Sequence, residues 1–546
     1  MTNSEDSTGS EPLSTDNGAF FAQLKEGVRA DPTTDAVFRD TTRRIELLEK
    51  GRRIRKKARL TQAEVAAAMA TTQSAVSDIE TGRVDAQLQT FQRYARAIGR
   101  RFEFKFAKVD DHADGSSEDA AINQVGELAL SPLLTTLVAA RPGASTEDIS
   151  KAIPLSESFT KLLLDRLEDR GAVRSRMTGH RRVYSFDYEA ANLVGVSIEG
   201  DQISSVLVDM NGKKLHSKTV PLADTNVDSV LNTVVDIIAG LHKVSEKPLI
   251  GVGVCIAGVV TSHGDVKFAP ELQNQEDPWS EVKFESKLRD VLHERLGISE
   301  LSVVVENDAN ALAILEYLRK EPSGESVITL LISDTGTGAG VMIDGHLVRG
   351  AHSSAGEGGH TIVDPSGPKC RANLPHRGCL ETVASVRSIL DQLDIEVNNH
   401  EGFAHRVNLA DQLVRSNDAN AIDAFNRSGH FHGQFLAGTI LLLDPARIVV
   451  YGPPYIVDTE RFACASYFQS GLKSALADAT ARRSGFADET PIRWMQLVDA
   501  GRRDDMRAVA ASATAFWDFL KQPAHSRLLG QRLESWRGVK EVLSSS

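Results

Sequence analysis

The stretch SSAGEGGHTIVDPSGPKCRANLPHRGCLE, residues 353–381, concentrates side chains that do chemistry. It holds two histidines, His360 and His376, two cysteines, Cys370 and Cys379, and the carboxylates Glu357 and Glu381. Gly and Pro between them keep helix or strand from spreading them apart, so the thiols and imidazoles could converge on a tetrahedral Zn²⁺. The bland alternative is a metal-free loop with two reduced cysteines.

A chain of 546 residues is too long for one hydrophobic core, and three or four domains are expected. No run of about 18 apolar residues occurs and the N-terminus is polar and acidic, so the sequence predicts neither a membrane span nor a secretory signal. Four cysteines, two of them close together, argue against a disulfide framework and suit the reducing cytoplasm. The net charge of −12 hides a reversal: residues 41–106 carry 15 Lys+Arg against 7 Asp+Glu. A basic module on an acidic body points to nucleic acid.

Residues 1–36 lack periodicity and read as a tail, followed by a helix over 35–57 that carries the cluster GRRIRKKAR. LTQAEVAAAMATTQSAVSDIETGR, residues 60–83, then reads as two short helices with a turn at Ala70–Thr72. Thr61 and Glu64 have capping-box spacing, and Val65, Met69, Val76 and Ile79 give the buried side. Gln73, Ser74, Ser77 and Asp78 face outward, as a major-groove helix requires, and Gln62 joins them as a candidate contact. Arg52, Arg53 and Arg55 would hold phosphates. The L-T-Q-x-E and S-x-x-E-x-G pattern resembles the XRE (Cro/C1-type) helix-turn-helix family, giving a domain over 37–107. FEFKF, 102–106, alternates like a strand, and 108–120 reads as an acidic linker.

Residues 121–188 read as three helices and a basic hairpin turning at Thr178-Gly179, the layout of a winged helix-turn-helix. Ser156, Glu157, Ser158 and Lys161 would face a groove, and Arg174, Arg176, His180 and Arg181 on the wing would reach backbone or minor groove. A small helical spacer is the alternative.

The remainder, 189–546, contains an internal repeat. NLVGVSIEGDQISSVLVDMNGKKL and SVITLLISDTGTGAGVMIDGHLV both read strand, Gly-bearing turn, strand, Asp/Asn-Gly hairpin, strand. Two α/β lobes with a cleft between them follow, in the layout of the actin-like ATPase (ribonuclease H-like) fold. GVCIAG, ENDANA, DTGTGAG, DGHLVRGAHSSAGEGGH, CLETVAS and LLLDPARIVVYG, in that order, resemble the ROK family of bacterial sugar kinases and transcriptional repressors. The resemblance implies that Asn307, Asp308, Glu357, His360 and Glu381 contact sugar hydroxyls, with Asp308 in the position of a phosphoryl-transfer base.

Two departures from the family stand out. Its His followed by C-x-C-x4-C is interrupted, since Ala372 stands at the middle cysteine; His376 could replace it, giving His360, Cys370, His376 and Cys379 as a structural Zn²⁺ set. The Asp-x-Gly-Gly-Thr phosphate turn is Ser197-Ile198-Glu199-Gly200-Asp201, which puts negative charge where a triphosphate would lie. Gly336-Thr337-Gly338 keeps the second phosphate turn, but Gly452-Pro453 replaces a Gly-Gly. The sequence therefore predicts a sugar-responsive repressor, binding operator DNA and a sugar or sugar phosphate as a homodimer or homotetramer, with a silent kinase domain that takes no ATP. An active ATP-dependent sugar kinase that also binds DNA, and an unliganded oligomerisation scaffold, are the alternatives.

Overall fold

The computed structural model describes residues 50–58, 60–69, 71–81, 88–100, 130–153, 155, 157–273, 279–297, 301–319, 326–372, 374–395, 403–480, 490–499 and 504–521. The expected tail, the first part of the 35–57 helix, the 102–106 strand, the 108–120 linker and Ser156 lie outside the described residues. Two compact units meet in sequence at Asp187/Tyr188, one residue from the expected boundary, and the second runs from Tyr188 to Phe519. No helix among the described residues is long and apolar enough to cross a membrane.

In the first unit a helix through 50–57 precedes α1 (Gln62–Ala68), α2 (Gln73–Thr81) and α3 (Leu88–Ala97). Thr61 caps α1 in a two-way box: its hydroxyl accepts from Glu64 N, and Glu64 Oε2 accepts from Thr61 N. Val65, Met69, Val76, Ile79, Tyr94 and Ile98 form the core that fixes the helices.

Further on, α4 (Thr146–Ala152) is capped by Ser145 with Asp148, and α5 (Glu157–Asp169) precedes β2 (Val173–Thr178) and β3 (Arg181–Phe186). A strand the sequence did not signal, β1 (Ala144–Ser145), completes a sheet ordered β1-β3-β2. Gly179 turns the hairpin at φ 62°, a conformation that suits a residue without Cβ.

The second unit repeats one sheet design. Its first sheet uses β4 (Asn192–Ile198), β5 (Gln202–Asp209), β6 (Lys214–Pro221), β7 (Leu249–Ile256) and β10 (Ser302–Asn307), with β8 (Val259–Val260) and β9 (Val266–Phe268) as a separate hairpin. Its second uses β11 (Val327–Ile332), β12 (Thr337–Ile343), β13 (His346–Leu347), β14 (Arg447–Gly452) and β15 (Ile492–Gln496). The orders are β10-β7-β4-β5-β6 and β13-β12-β11-β14-β15. In each, an antiparallel three-strand meander is extended by two parallel strands, as the sequence repeat predicts.

Every residue of β4 and β7 is buried, because helices cover both faces of the first sheet. On one side lie α6 (Val227–Val244) and α7 (Phe284–Leu296), whose Val230, Val234, Ile238, Leu288 and Leu292 fill the core. On the other lies α11 (Met506–Lys521). Its backbone approaches so closely that a Cβ at Gly195 would stand 1.9 Å from Ala508 O, and one at Gly253 1.6 Å from Ala511 O. These strand glycines are therefore set by helix approach.

The helix α8 (Asp308–Arg319) leaves β10 directly and lies on the second sheet, where Thr329 donates to Ala309 O at 3.0 Å. It ties the lobes together and holds Asn307 and Asp308 at the cleft. In the second lobe α9 (Ala419–Leu443) and α10 (Ala463–Thr480) pack on each other around Phe425, Phe468 and Leu472.

Candidate functional site

The loop after β13 brings together the four residues singled out for metal. Donor atoms of His360, Cys370, His376 and Cys379 all lie within 4.8 Å of one another, and Cys370 Sγ stands 3.7 Å from His360 Nδ1. Backbone bonds shape the knuckle: Cys370 N donates to His376 O at 3.1 Å, and Gly378 N to Pro368 O at 2.8 Å. Gly378 has φ 62°, and a Cβ there would meet Asp364 O at 1.5 Å. His376 Nε2 is buried without a hydrogen-bond partner, an orphan that an ion would satisfy. Two thiols and two imidazoles at this spacing fit tetrahedral Zn²⁺. With Nδ1 turned to Cys370, His360 keeps Nε2 for a second task.

Carboxylates gather beside this loop. Burial pushes Asp308 up to about 7, with Arg507 opposing it and Glu271 and Glu357 adding to it. Glu381 is also pushed up to about 7 by burial and by Glu357, and burial raises Glu357 itself. Asn307 is pinned: its Nδ2 donates to Gly258 O at 2.9 Å and its Oδ1 accepts from Asn310 N at 3.0 Å. Beneath it the fully buried Glu306 accepts from Asn310 Nδ2 and from Arg349, which ties the first lobe to the loop that carries Glu357.

Both turns expected to face a phosphate are engaged by the protein's own side chains. At the first, Glu199 pairs at 2.6 Å with Arg507, which grips Asp505 at 2.7 Å; all three are largely buried. Burial pushes Glu199 up to about 8 against the pull of Arg507, while Asp505 is held low because that guanidinium outweighs its burial. At the second turn, the Thr337 hydroxyl is directed inward to His432 Nε2 at 3.1 Å, and His432 donates from Nδ1 to Ser428 O at 2.9 Å. Gly336 N donates to Ser333 Oγ at 2.9 Å, closing the turn on itself. Asp334, just before it, accepts from the hydroxyl of Tyr455, which follows Gly452-Pro453. The glycine geometry expected over Gly336–Gly338 is present, but the hydroxyl of Thr337 is spent in the core.

The helix-turn-helix residues separate into two groups. Arg55, expected at phosphates, is instead 7% exposed and donates to Glu80 at 2.6 and 2.9 Å and to Leu60 O at 2.7 Å. A guanidinium with a buried carboxylate partner stays inside, so Arg55 is corrected from surface contact to core ion pair. Gln62 donates to the same Glu80 at 3.0 Å, and Tyr94 donates to it at 2.5 Å. Arg52, Arg53 and Gln73 are exposed, Ser77 is half-buried, and Ser74 and Asp78 lie on α2.

On α4, α5 and the β2–β3 hairpin, Lys161 pairs with Asp165 at 3.4 Å, Arg174 with Asp187 at 2.7 Å and Arg181 with Glu147 at 3.9 Å. Arg176 and His180 are exposed, and Ser158 lies on α5.

The ROK family's sequence pattern matches residues 193–487, more than half of the chain. The chain belongs to the ROK family. A helix-turn-helix pattern matches 52–105. The Xylose repressor of Bacillus subtilis (strain 168) is 26% identical over 284 residues, which cover 51% of this chain and 68% of that protein. The DNA-binding transcriptional repressor Mlc of Escherichia coli (strain K12) is 28% identical over 274 residues, 48% of this chain and 64% of its own. A Glucokinase of Thermotoga maritima is 33% identical over 198 residues, 36% of this chain and 58% of its own. In fold, the chain is similar to a ROK family transcriptional regulator described as a homolog of E. coli MLC protein. The TM-score is 0.57 at 19% identity, covering 75% of this chain and 99% of that one.

Several residues of the ROK cleft escaped sequence reasoning. Arg507 stands more than 300 positions after Glu199, and nothing in the run Asp504-Asp505-Met506-Arg507 signals that partner. Glu271, which accepts from Thr335 at 3.3 Å, follows Ala269-Pro270, and nothing in that pair signals it. Tyr455 follows two prolines that signal only the end of a strand.

Proposed function

We propose that this chain is a sugar-responsive, DNA-binding transcriptional repressor whose ROK domain binds a sugar without phosphorylating it. The Glu199–Arg507–Asp505 cluster carries this reading. Where a kinase of this fold must hold a metal and a triphosphate, the chain packs two carboxyl groups of its own around one guanidinium. The helix-turn-helix pattern at 52–105 supports the DNA function, as do the two repressor relatives.

In the cleft, Asn307, Asp308, Glu357, His360 and Glu381 receive the sugar hydroxyls, carboxylates being the natural acceptors for vicinal O–H groups. His360, Cys370, His376 and Cys379 hold Zn²⁺ as a brace that orients His360 and the neighbouring Glu357. On α2, Gln73, Ser74, Ser77 and Asp78 read base edges while Arg52 and Arg53 sit at phosphates. The winged unit adds Ser156, Ser158, Lys161 and Arg181 as a second DNA contact. Two half-sites call for a homodimer or homotetramer, in which lobe closure on sugar alters half-site spacing.

Selection of bound fragments from a random DNA pool, with and without D-xylose, D-glucose or N-acetyl-D-glucosamine, tests the proposal. Enrichment of a paired motif that one sugar abolishes is expected; no enriched motif would end the DNA reading. One observation favours a second reading, an ATP-dependent sugar kinase. Asp308 keeps the base position at the start of α8 with its carboxyl up to about 7, and a glucokinase is among the relatives. ATP turnover that vanishes in Asp308→Asn would establish that reading.

A further inference from the structure

Building on the sugar-sensing reading, we infer that His432 and Ser428, one turn apart on α9, are positioning residues for the sugar site. His432 sets the loop that carries Glu357 and His360, and Ser428 sets the short helix that carries Glu381. His432 is 0% and Ser428 2% exposed, so both act from behind the groups that would meet a ligand.

Burial keeps the imidazole neutral, pushing it down to about 4, and its Nδ1 donates to Ser428 O at 2.9 Å. Nε2 is then the acceptor, so the Thr337 hydroxyl donates to it at 3.1 Å. A leucine would fill this position without desolvating two ring nitrogens; the imidazole adds a direction that an apolar side chain lacks. The helix beneath is itself fixed. A Cβ at Gly429 would stand 1.9 Å from Phe468 O and one at Gly433 2.4 Å from Leu472 O, so α10 backs the pair directly.

Thr337 opens β12, and the loop lies against that strand end with no room for side chains between them. A Cβ at Gly359 would stand 2.5 Å from Thr337 O and one at Gly356 1.9 Å from Ala339 O, while Ala339 N donates to Gly356 O at 2.8 Å. Glu357 therefore takes its place from the strand end that His432 holds. On the other side, the Ser428 hydroxyl donates to Ala384 O at 2.6 Å, at the end of the helix Leu380–Ala384 whose first turn bears Glu381. One turn of α9 thus fixes two acid-bearing segments that come from different parts of the second lobe, as a binding site needs if its acceptors are to be set before the ligand arrives.

Titration calorimetry of the full-length protein with D-glucose, D-xylose and N-acetyl-D-glucosamine, beside a melting curve for each variant, tests this. The parent is expected to bind at least one of these sugars; heat from none would remove the sugar-sensing reading and this inference with it. With a binding parent, His432→Leu and Thr337→Val should each weaken that sugar about tenfold, and the double variant should lose no more than His432→Leu alone. His432→Gln, whose amide oxygen accepts from Thr337 in place of Nε2, should return to within about threefold of the parent, and Ser428→Ala should weaken binding about fivefold. Parental affinity in a folded His432→Leu, additive losses in the double variant, or no recovery in His432→Gln would overturn the inference and leave sugar sensing intact. If His432→Leu does not fold, Thr337→Val and Ser428→Ala decide, and parental affinity in both overturns it.

Discussion

At the residue scale, two arginines three positions apart have opposite fates. Arg55 is enclosed with Glu80, whereas Arg52 is exposed. Removing one partner of a buried ion pair strands the other charge, so Arg55→Met should destabilise the helix-turn-helix by about 3–5 kcal/mol. Hydrogen exchange over α1 and α2 reads that loss directly. Arg52→Gln should leave exchange unchanged and reduce the salt slope of DNA binding by about 1, as expected for one lost phosphate contact.

Asp308 gives a pH prediction. Its carboxyl rises from 3.8 to about 7 on folding, so the folded state binds more protons between those values. Stability therefore falls as pH rises through that window, and the penalty is complete above about 7. Asp308→Asn should raise the melting temperature at pH 8, leave it nearly unchanged at pH 3, and weaken sugar binding about 10- to 100-fold by removing a charged acceptor. A mutant no more stable than the parent at pH 8 would contradict the buried, charge-penalised placement.

At the element scale, the proposed metal knuckle rests on four side chains and on the backbone of Gly378. His376→Ala should reduce bound zinc from about one per chain to a fraction of that, read by elemental analysis, and make the second unit more open to protease near residues 360–380. Equal zinc in parent and mutant would exclude His376 from the ligand set. Much at this scale was legible in the sequence. The capping box of Thr61 and Glu64, the Ser145 cap, the Gly179 hairpin and the three-strand meanders are all local patterns, and all are present. β1 was not legible, because two residues, Ala144 and Ser145, have no periodicity to detect and are strand only through pairing with Tyr184 and Val183.

At the scale of the whole molecule, the repressor reading requires that sugar and DNA communicate. The coupling is reciprocal: a sugar that weakens operator binding must itself bind more weakly to the DNA complex by the same factor, typically about 5- to 150-fold. Measuring sugar affinity with and without the selected operator fragment checks this. Equal affinities would leave the ROK domain without a regulatory effect on DNA.

The sequence by itself determined the family and the repeated lobe design and pointed to a candidate donor set, because each is written in short local patterns. His360, Cys370, His376 and Cys379 are close in the chain, and the structure brings their donors within 4.8 Å. What only tertiary structure decided is which charges are free. Arg55 and Arg52 look alike in sequence, and so do the carboxylates at Glu199 and Glu357. Burial against Glu80 commits the first arginine, and Arg507 from the last described helix commits the first carboxylate. Desolvation and long-range ion pairing depend on what the fold brings alongside a residue, and that information is spread over more than 300 positions of the chain.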